Sequence, residues 1–120
     1  MNESDKLLYK YFNNKKVLEV GANRGDITDQ LLNLKPKLLT VNENCNEMCL
    51  ELKKRFNGNI TIDNSSILNK KRPNLNSFDV ILLKEMVNAL PFEVYSLLFE
   101  NCLNMLNKEE RGEGGRFDYS

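Results

Sequence analysis

The chain has 120 residues, with 17 basic and 17 acidic side chains and no formal net charge. That length builds one domain around one core, and zero net charge excludes the broad electrostatic footprint of a strong nucleic-acid binder. Histidine is absent, which removes imidazole acid–base catalysis, Ser-His and Cys-His nucleophile pairs and the commonest transition-metal ligand.

Leu7, Leu8, Tyr11 and Phe12 recur at helical spacing and predict an amphipathic helix within residues 1–13. Asn13-Asn14 breaks it, and Val17 to Val20 reads as a buried strand. Asp26 to Leu34 reads as a helix with Ile27, Leu31, Leu32 and Leu34 inward, ended by Pro36. Leu38 to Val41 is a second buried strand. Asn44 is the expected N-cap of a helix from Cys45 to Phe56, with Glu47 completing a capping box. Asn57-Gly58 stops that helix, and Ile60 to Ile62 is a short third strand. Residues 64–77 are polar, with one helical turn expected from Ser65 to Asn69, and Lys70-Lys71-Arg72 reads as a solvated basic loop. Phe78 to Leu83 is the most apolar strand. Pro91 opens a helix from Phe92 to Asn107 with Tyr95, Leu98, Phe99, Cys102 and Leu106 on one face. The tail, residues 108–120, is charged and glycine-rich, and is either a fifth strand from Gly114 or disordered.

No segment approaches the apolar length of a membrane span. The start, Met1 to Asp5, is polar and acidic rather than the basic start of a signal peptide, so the expected compartment is the cytoplasm. Three cysteines argue against a closed disulfide framework. Cys45 and Cys49 share a helix face with Leu52 and Phe56, which makes core packing the expectation over a metal site.

Strands alternating with helices, and apolar on both faces, define an α/β fold with a mostly parallel sheet covered on both sides. Ligands bind such sheets beyond the carboxyl ends of the strands. Gly21 to Gly25, Asn42 and Glu43, Asp63 to Ser66, and Leu83 to Glu85 lie at those ends. A dinucleotide fingerprint needs glycine at positions 21, 23 and 26, where the chain has Gly21, Asn23 and Asp26. Asp26 at the helix start also opposes a pyrophosphate, and no Gly-Lys-Ser/Thr follows. A ligand without phosphates is therefore preferred.

At this point the chain resembles the class I S-adenosylmethionine-dependent methyltransferases. Their first motif, an acid followed by three alternating glycines, corresponds to Glu19-Val20-Gly21-Ala22-Asn23-Arg24-Gly25. Leu39 to Asn44 resembles the second strand and its ribose-binding acid. Ile60 to Ser66 resembles the adenine-flanking motif, and Phe78 to Leu90 the fourth strand and its loop. The resemblance implies a Rossmann-like doubly wound sheet of four to five strands, order 3-2-1-4, with 5 next if the tail pairs. It covers residues 15–117, and the C-terminal part of the usual sheet is missing.

The resemblance also implies S-adenosylmethionine as cofactor, methyl transfer as the reaction, and an unknown methyl acceptor. Glu19 then lies near the methionine amino group or accepts from turn amides. Gly21, Ala22, Asn23 and Gly25 line the turn, Asn42 and Glu43 meet the ribose, Ser65 and Ser66 read the adenine edge, and Lys84 lies at the fourth strand's end. Lys84, Glu85 and Tyr11 are the polar groups expected toward the methyl site, and none is assigned as catalytic. Asn23 stands where the family has glycine, and the ribose acid is displaced from Asn42 to Glu43. An inactive methyltransferase-like subunit and, more distantly, an NAD- or nucleotide-binding module remain open. So do simple turn, cap and surface roles for Gly21, Gly25, Glu43, Ser65, Ser66 and Lys84. The fourth strand, left at a sheet edge, predicts self-association or a partner chain.

Overall fold

The computed structural model describes residues 2–22, 24–69, 71–83 and 92–108. Asn23, Lys84, Glu85 and the glycine-rich segment expected as a fifth strand lie outside the described residues. The elements are α1 (Glu3–Phe12), β1 (Lys16–Val20), α2 (Asp26–Asn33), β2 (Leu38–Asn42), α3 (Asn46–Phe56), β3 (Thr61–Asp63), β4 (Val80–Leu83) and α4 (Phe92–Met105).

The four strands form one sheet in the order β3-β2-β1-β4. Every pairing is parallel, with Val17 opposite Leu39 and Val80, and Val41 opposite Ile62. Parallel strands must be covered on both faces. Side-chain alternation along each strand divides the core accordingly. Val17, Leu39 and Val41 face one cluster with Phe12, Ala22, Leu31, Leu52 and Phe56. Leu18 and Val20 face the other, with Ile67, Phe78, Leu98, Cys102 and Met105. Thus α1, α2 and α3 cover one side and α4 the other. Leu52 is wholly buried, and burial of such a side chain stabilises by about 1.5–3 kcal/mol.

Several elements differ locally from the sequence expectation. Predicted β4 starts at Val80 rather than Phe78. Phe78 instead makes an isolated bridge to Leu106, and its N–H donates to the Met105 carbonyl at 3.0 Å. The end of α4 thereby hooks onto the strand entry. The N-cap of α3 is Cys45, with no side-chain cap bond. The Glu43 carboxylate does the capping work there, accepting from the Cys45 N–H at 3.0 Å. Cys45 is exposed, whereas Cys49, Leu52 and Phe56 are buried. On α4 the inner face is Leu98, Asn101, Cys102 and Met105, and Phe99 is 52% exposed. Ser65 to Asn69 forms turns rather than helix.

The first helix buries only Phe12. Leu7, Leu8 and Tyr11 are about half exposed, at 54%, 48% and 56%. A groove of about 760 Å³ separates α1 from α2, lined by Leu8, Phe12, Ile27, Leu31 and Leu34 and reaching Leu82 of β4. No helix among the described residues is long and apolar enough to cross a membrane.

Candidate functional site

All four strands point their C-terminal ends to the same edge, where Gly21, Ala22, Gly25, Asn42, Glu43, Ser65 and Ser66 lie among the described residues. The β1 exit is built by backbone. Gly21 has φ 82° and Gly25 φ 95°, conformations that an L side chain adopts only with strain. The Gly21 N–H donates to the Asn42 carbonyl at 3.0 Å, which ties the turn to β2. The Gly25 N–H donates to the Ala22 carbonyl at 3.0 Å. A Cβ on Gly25 would sit 2.6 Å from Phe56 and 3.0 Å from Leu52. The missing side chain at Gly25 therefore serves the packing of α2 against α3. Ala22 turns its methyl into the core and presents only backbone to the edge.

Glu19 is 1% exposed. In the β1 register it lies between Val41 and Leu82, on the face covered by α2. The Thr28 hydroxyl of α2 donates to its Oε1 at 2.5 Å. The motif acid thus fastens strand to helix across the glycine turn. Thr28 is fully buried; it follows the motif by three residues and carries no sequence signal of its own. From α3, Arg55 donates to the Arg24 carbonyl at 2.8 Å and pairs with Asp26 at 3.3 Å.

The β2 and β3 exits are built by side chains. Asn42 is buried, and its amide donates to Asp63 Oδ2 at 3.0 Å and to the Ser65 carbonyl at 2.9 Å. The Ser65 hydroxyl donates to Asp63 Oδ1 at 2.6 Å. Arg72 closes the cluster. Its Nη2 pairs with Asp63 Oδ2 at 2.5 Å, while Nη1 donates to Ser65 Oγ at 2.8 Å and to the Ser66 carbonyl at 2.7 Å. The Arg72 side chain is 2% exposed, which corrects the solvated-loop reading at Arg72, while Lys71 is exposed as expected. A basic triplet is normally solvated, but here the acid nine residues earlier lies within reach. Burial by itself would raise the Asp63 pKa. Hydrogen bonds from Ser65, Asn42 and Arg72, with the Arg72 charge, outweigh it and hold the carboxyl below its ordinary value. Asn101 of α4 fixes the rest of the loop, donating to the Ile67 and Asn69 carbonyls at 2.7 and 2.9 Å.

Glu43 is buried at the end of β2, beside the α3 N-terminus. The Cys49 thiol donates to its carbonyl at 3.1 Å, and burial, then the Glu43 charge, push that thiol's pKa up. Burial also pushes the Cys102 thiol up to about 11. Tyr11, expected toward a methyl site, is exposed on α1. Among the described residues no group of three His, Cys, Asp or Glu side chains is placed to hold a metal ion.

No protein-family model matches the chain. Over 55 residues it is 42% identical to ribosomal RNA small subunit methyltransferase A of Pelagibacter ubique, a stretch amounting to 46% of this chain and 21% of that protein. Three solved structures resemble the fold across 87% of the chain. One, from Rhodobacter sphaeroides, is described as a Zn-dependent alcohol dehydrogenase, with TM-score 0.74, 21% identity and 42% of its length covered. Another is an S-adenosylmethionine-dependent methyltransferase from Mesorhizobium loti, with TM-score 0.71, 11% identity and 47% covered. The third is the N-methyltransferase NodS of Bradyrhizobium japonicum in complex with S-adenosylhomocysteine, with TM-score 0.68, 21% identity and 55% covered. The chain has the Rossmann-like fold of the class I methyltransferases, in the strand order 3-2-1-4. It spans about a fifth of the curated relative's length and about half of each of these structures.

Proposed function

We propose that this chain binds S-adenosylmethionine across the C-terminal ends of β1, β2 and β3 and forms the cofactor-binding part of a methyltransferase. One observation carries the reading: a parallel β1 that delivers a buried acid, Glu19, into a turn with left-handed glycines at 21 and 25. The ligand chemistry fits the charges at that edge. Asp26 and Asp29 occupy the first turn of α2 and oppose a pyrophosphate there. Arg55, a cation beside that turn, is engaged by Asp26 and the Arg24 carbonyl. A ligand with a positive sulfonium and amino group suits this edge better than a dinucleotide does. NodS, in complex with S-adenosylhomocysteine, provides a precedent on the same fold.

In this reading Glu19, Gly21, Ala22, Asn23 and Gly25 enclose the methionine part. Glu43 is the carboxylate placed for the ribose hydroxyls, Ser65 and Ser66 flank the adenine, and Lys84 borders the methyl site. The bound cofactor supplies an activated methyl group. The chain contributes alignment and exclusion of water, and such transfer proceeds without a strong base, consistent with a chain that has no histidine. Titration calorimetry with S-adenosylmethionine and S-adenosylhomocysteine tests the proposal. Saturable binding with loss of affinity in Gly21→Val is expected; no heat at millimolar ligand overturns it. NAD in the same cell tests the dinucleotide alternative.

Among the described residues β4 pairs only with β1. This supports the reading that a second copy covers that edge. Light scattering across a concentration series is expected to give twice the chain mass, and a monomer at all concentrations removes it.

A further inference from the structure

The residue at the ribose-acid position of the fold is Asn42, and its geometry points away from a ligand role. Both hydrogen bonds from its amide run sideways into the β3 exit, to Asp63 Oδ2 at 3.0 Å and the Ser65 carbonyl at 2.9 Å. Its weaker approach to the Asp63 carbonyl, at 3.4 Å, goes the same way. Arg72 reaches the same segment from the far side, holding Asp63, Ser65 and Ser66 together. Neither residue has much exposure: Asn42 is 4% exposed and Arg72 7% over the whole residue. Short polar loops lacking such ties sample many conformations. Asn42 and Arg72 together tie residues 63–66 at five atoms: Asp63 O and Oδ2, Ser65 O and Oγ, and Ser66 O.

We propose that Asn42 and Arg72 are positioning residues that hold Asp63 to Ser66 in the shape that receives the adenine ring, and that Asn42 does not bind the ribose. The inference rests on the S-adenosylmethionine reading above and predicts an effect of opposite sign to the family pattern. If Asn42 touched the ribose, Asn42→Asp would tighten cofactor binding, because a carboxylate accepts from both hydroxyls. If Asn42 positions the loop, the same change removes two donors and sets a second carboxylate against Asp63.

The test measures S-adenosylhomocysteine affinity calorimetrically in the full chain, below the unfolding temperature of every variant. Asn42→Asp is expected to weaken binding by about ten- to a hundredfold. The exchanged pair N42D/D63N restores a donor facing an acceptor and is expected to recover part of that loss. Arg72→Lys, which keeps the charge but loses the planar fork, is expected to weaken binding while leaving the far-ultraviolet circular dichroism unchanged. Equal or tighter binding by Asn42→Asp overturns the inference. So does an Asn42→Asp loss that N42D/D63N leaves unrecovered. Wild-type protein that binds no S-adenosylhomocysteine defeats the cofactor reading itself, and the inference with it.

Discussion

The β1 exit and the β2–β3 exit share one edge of the sheet yet are held by opposite means. At β1 the chain omits side chains: Gly21 and Gly25 adopt left-handed conformations, and Gly25 leaves room for Phe56. At β2 and β3 the chain supplies side chains, and Asn42, Asp63, Ser65 and Arg72 bond one another. The first, the glycine device, is steric, and beside it the Glu19 carboxylate accepts from Thr28. The second is electrostatic, and a buried ion pair is costly to break because the surviving charge stays desolvated.

The largest effect is expected where that charge is stranded. Arg72→Met leaves Asp63 without its cation and should lower stability by about 3–5 kcal/mol, read from urea unfolding. A change below about 1 kcal/mol would mean that the pair behaves as a surface bridge. Next comes Gly25→Ala. The left-handed backbone costs roughly 1–2 kcal/mol and crowding against Phe56 roughly 1–3 more. Combining it with Phe56→Leu should recover the crowding part only; full recovery would show that conformation contributes nothing.

The smallest effect distinguishes the two exits by pH. The Asp63 pKa is depressed in the folded chain. Its contribution is therefore complete above the ordinary value of 3.8 and is lost as pH falls through the lower folded value. Unfolding measured from pH 6 down to 2 should show extra acid sensitivity in wild type that Asp63→Asn lacks. Gly25→Ala should shift the whole curve without changing its slope.

The contrast also explains what could be read from sequence. Backbone devices leave a signature, since Glu19, Gly21 and Gly25 stand at fixed offsets after an apolar run. The strand order came from the family resemblance that the motif carried, and apolar runs such as Val17 to Val20 located the strands. Side-chain networks leave none. Nothing in Lys70-Lys71-Arg72 tells the third residue from its neighbours until β3 brings Asp63 beside it. Helical periodicity found α1 and α4 but not their orientation. Leu7, Tyr11 and Phe99 share the spacing of buried residues and lie outside, while Asn101, polar by composition, is inside because its amide meets two loop carbonyls. The capping box expected at Asn44 is absent because the helix starts one residue later, with Cys45 as N-cap and its N–H donating to the Glu43 carboxylate.

The chain's three thiols have a practical use. Cys45 is exposed at the start of α3, two residues from Glu43, while Cys49 and Cys102 are buried with raised pKa values. A maleimide dye at neutral pH will attach to the first and spare the other two. The wild-type protein thus carries its own attachment point for a fluorescent reporter at the rim of the proposed ribose site.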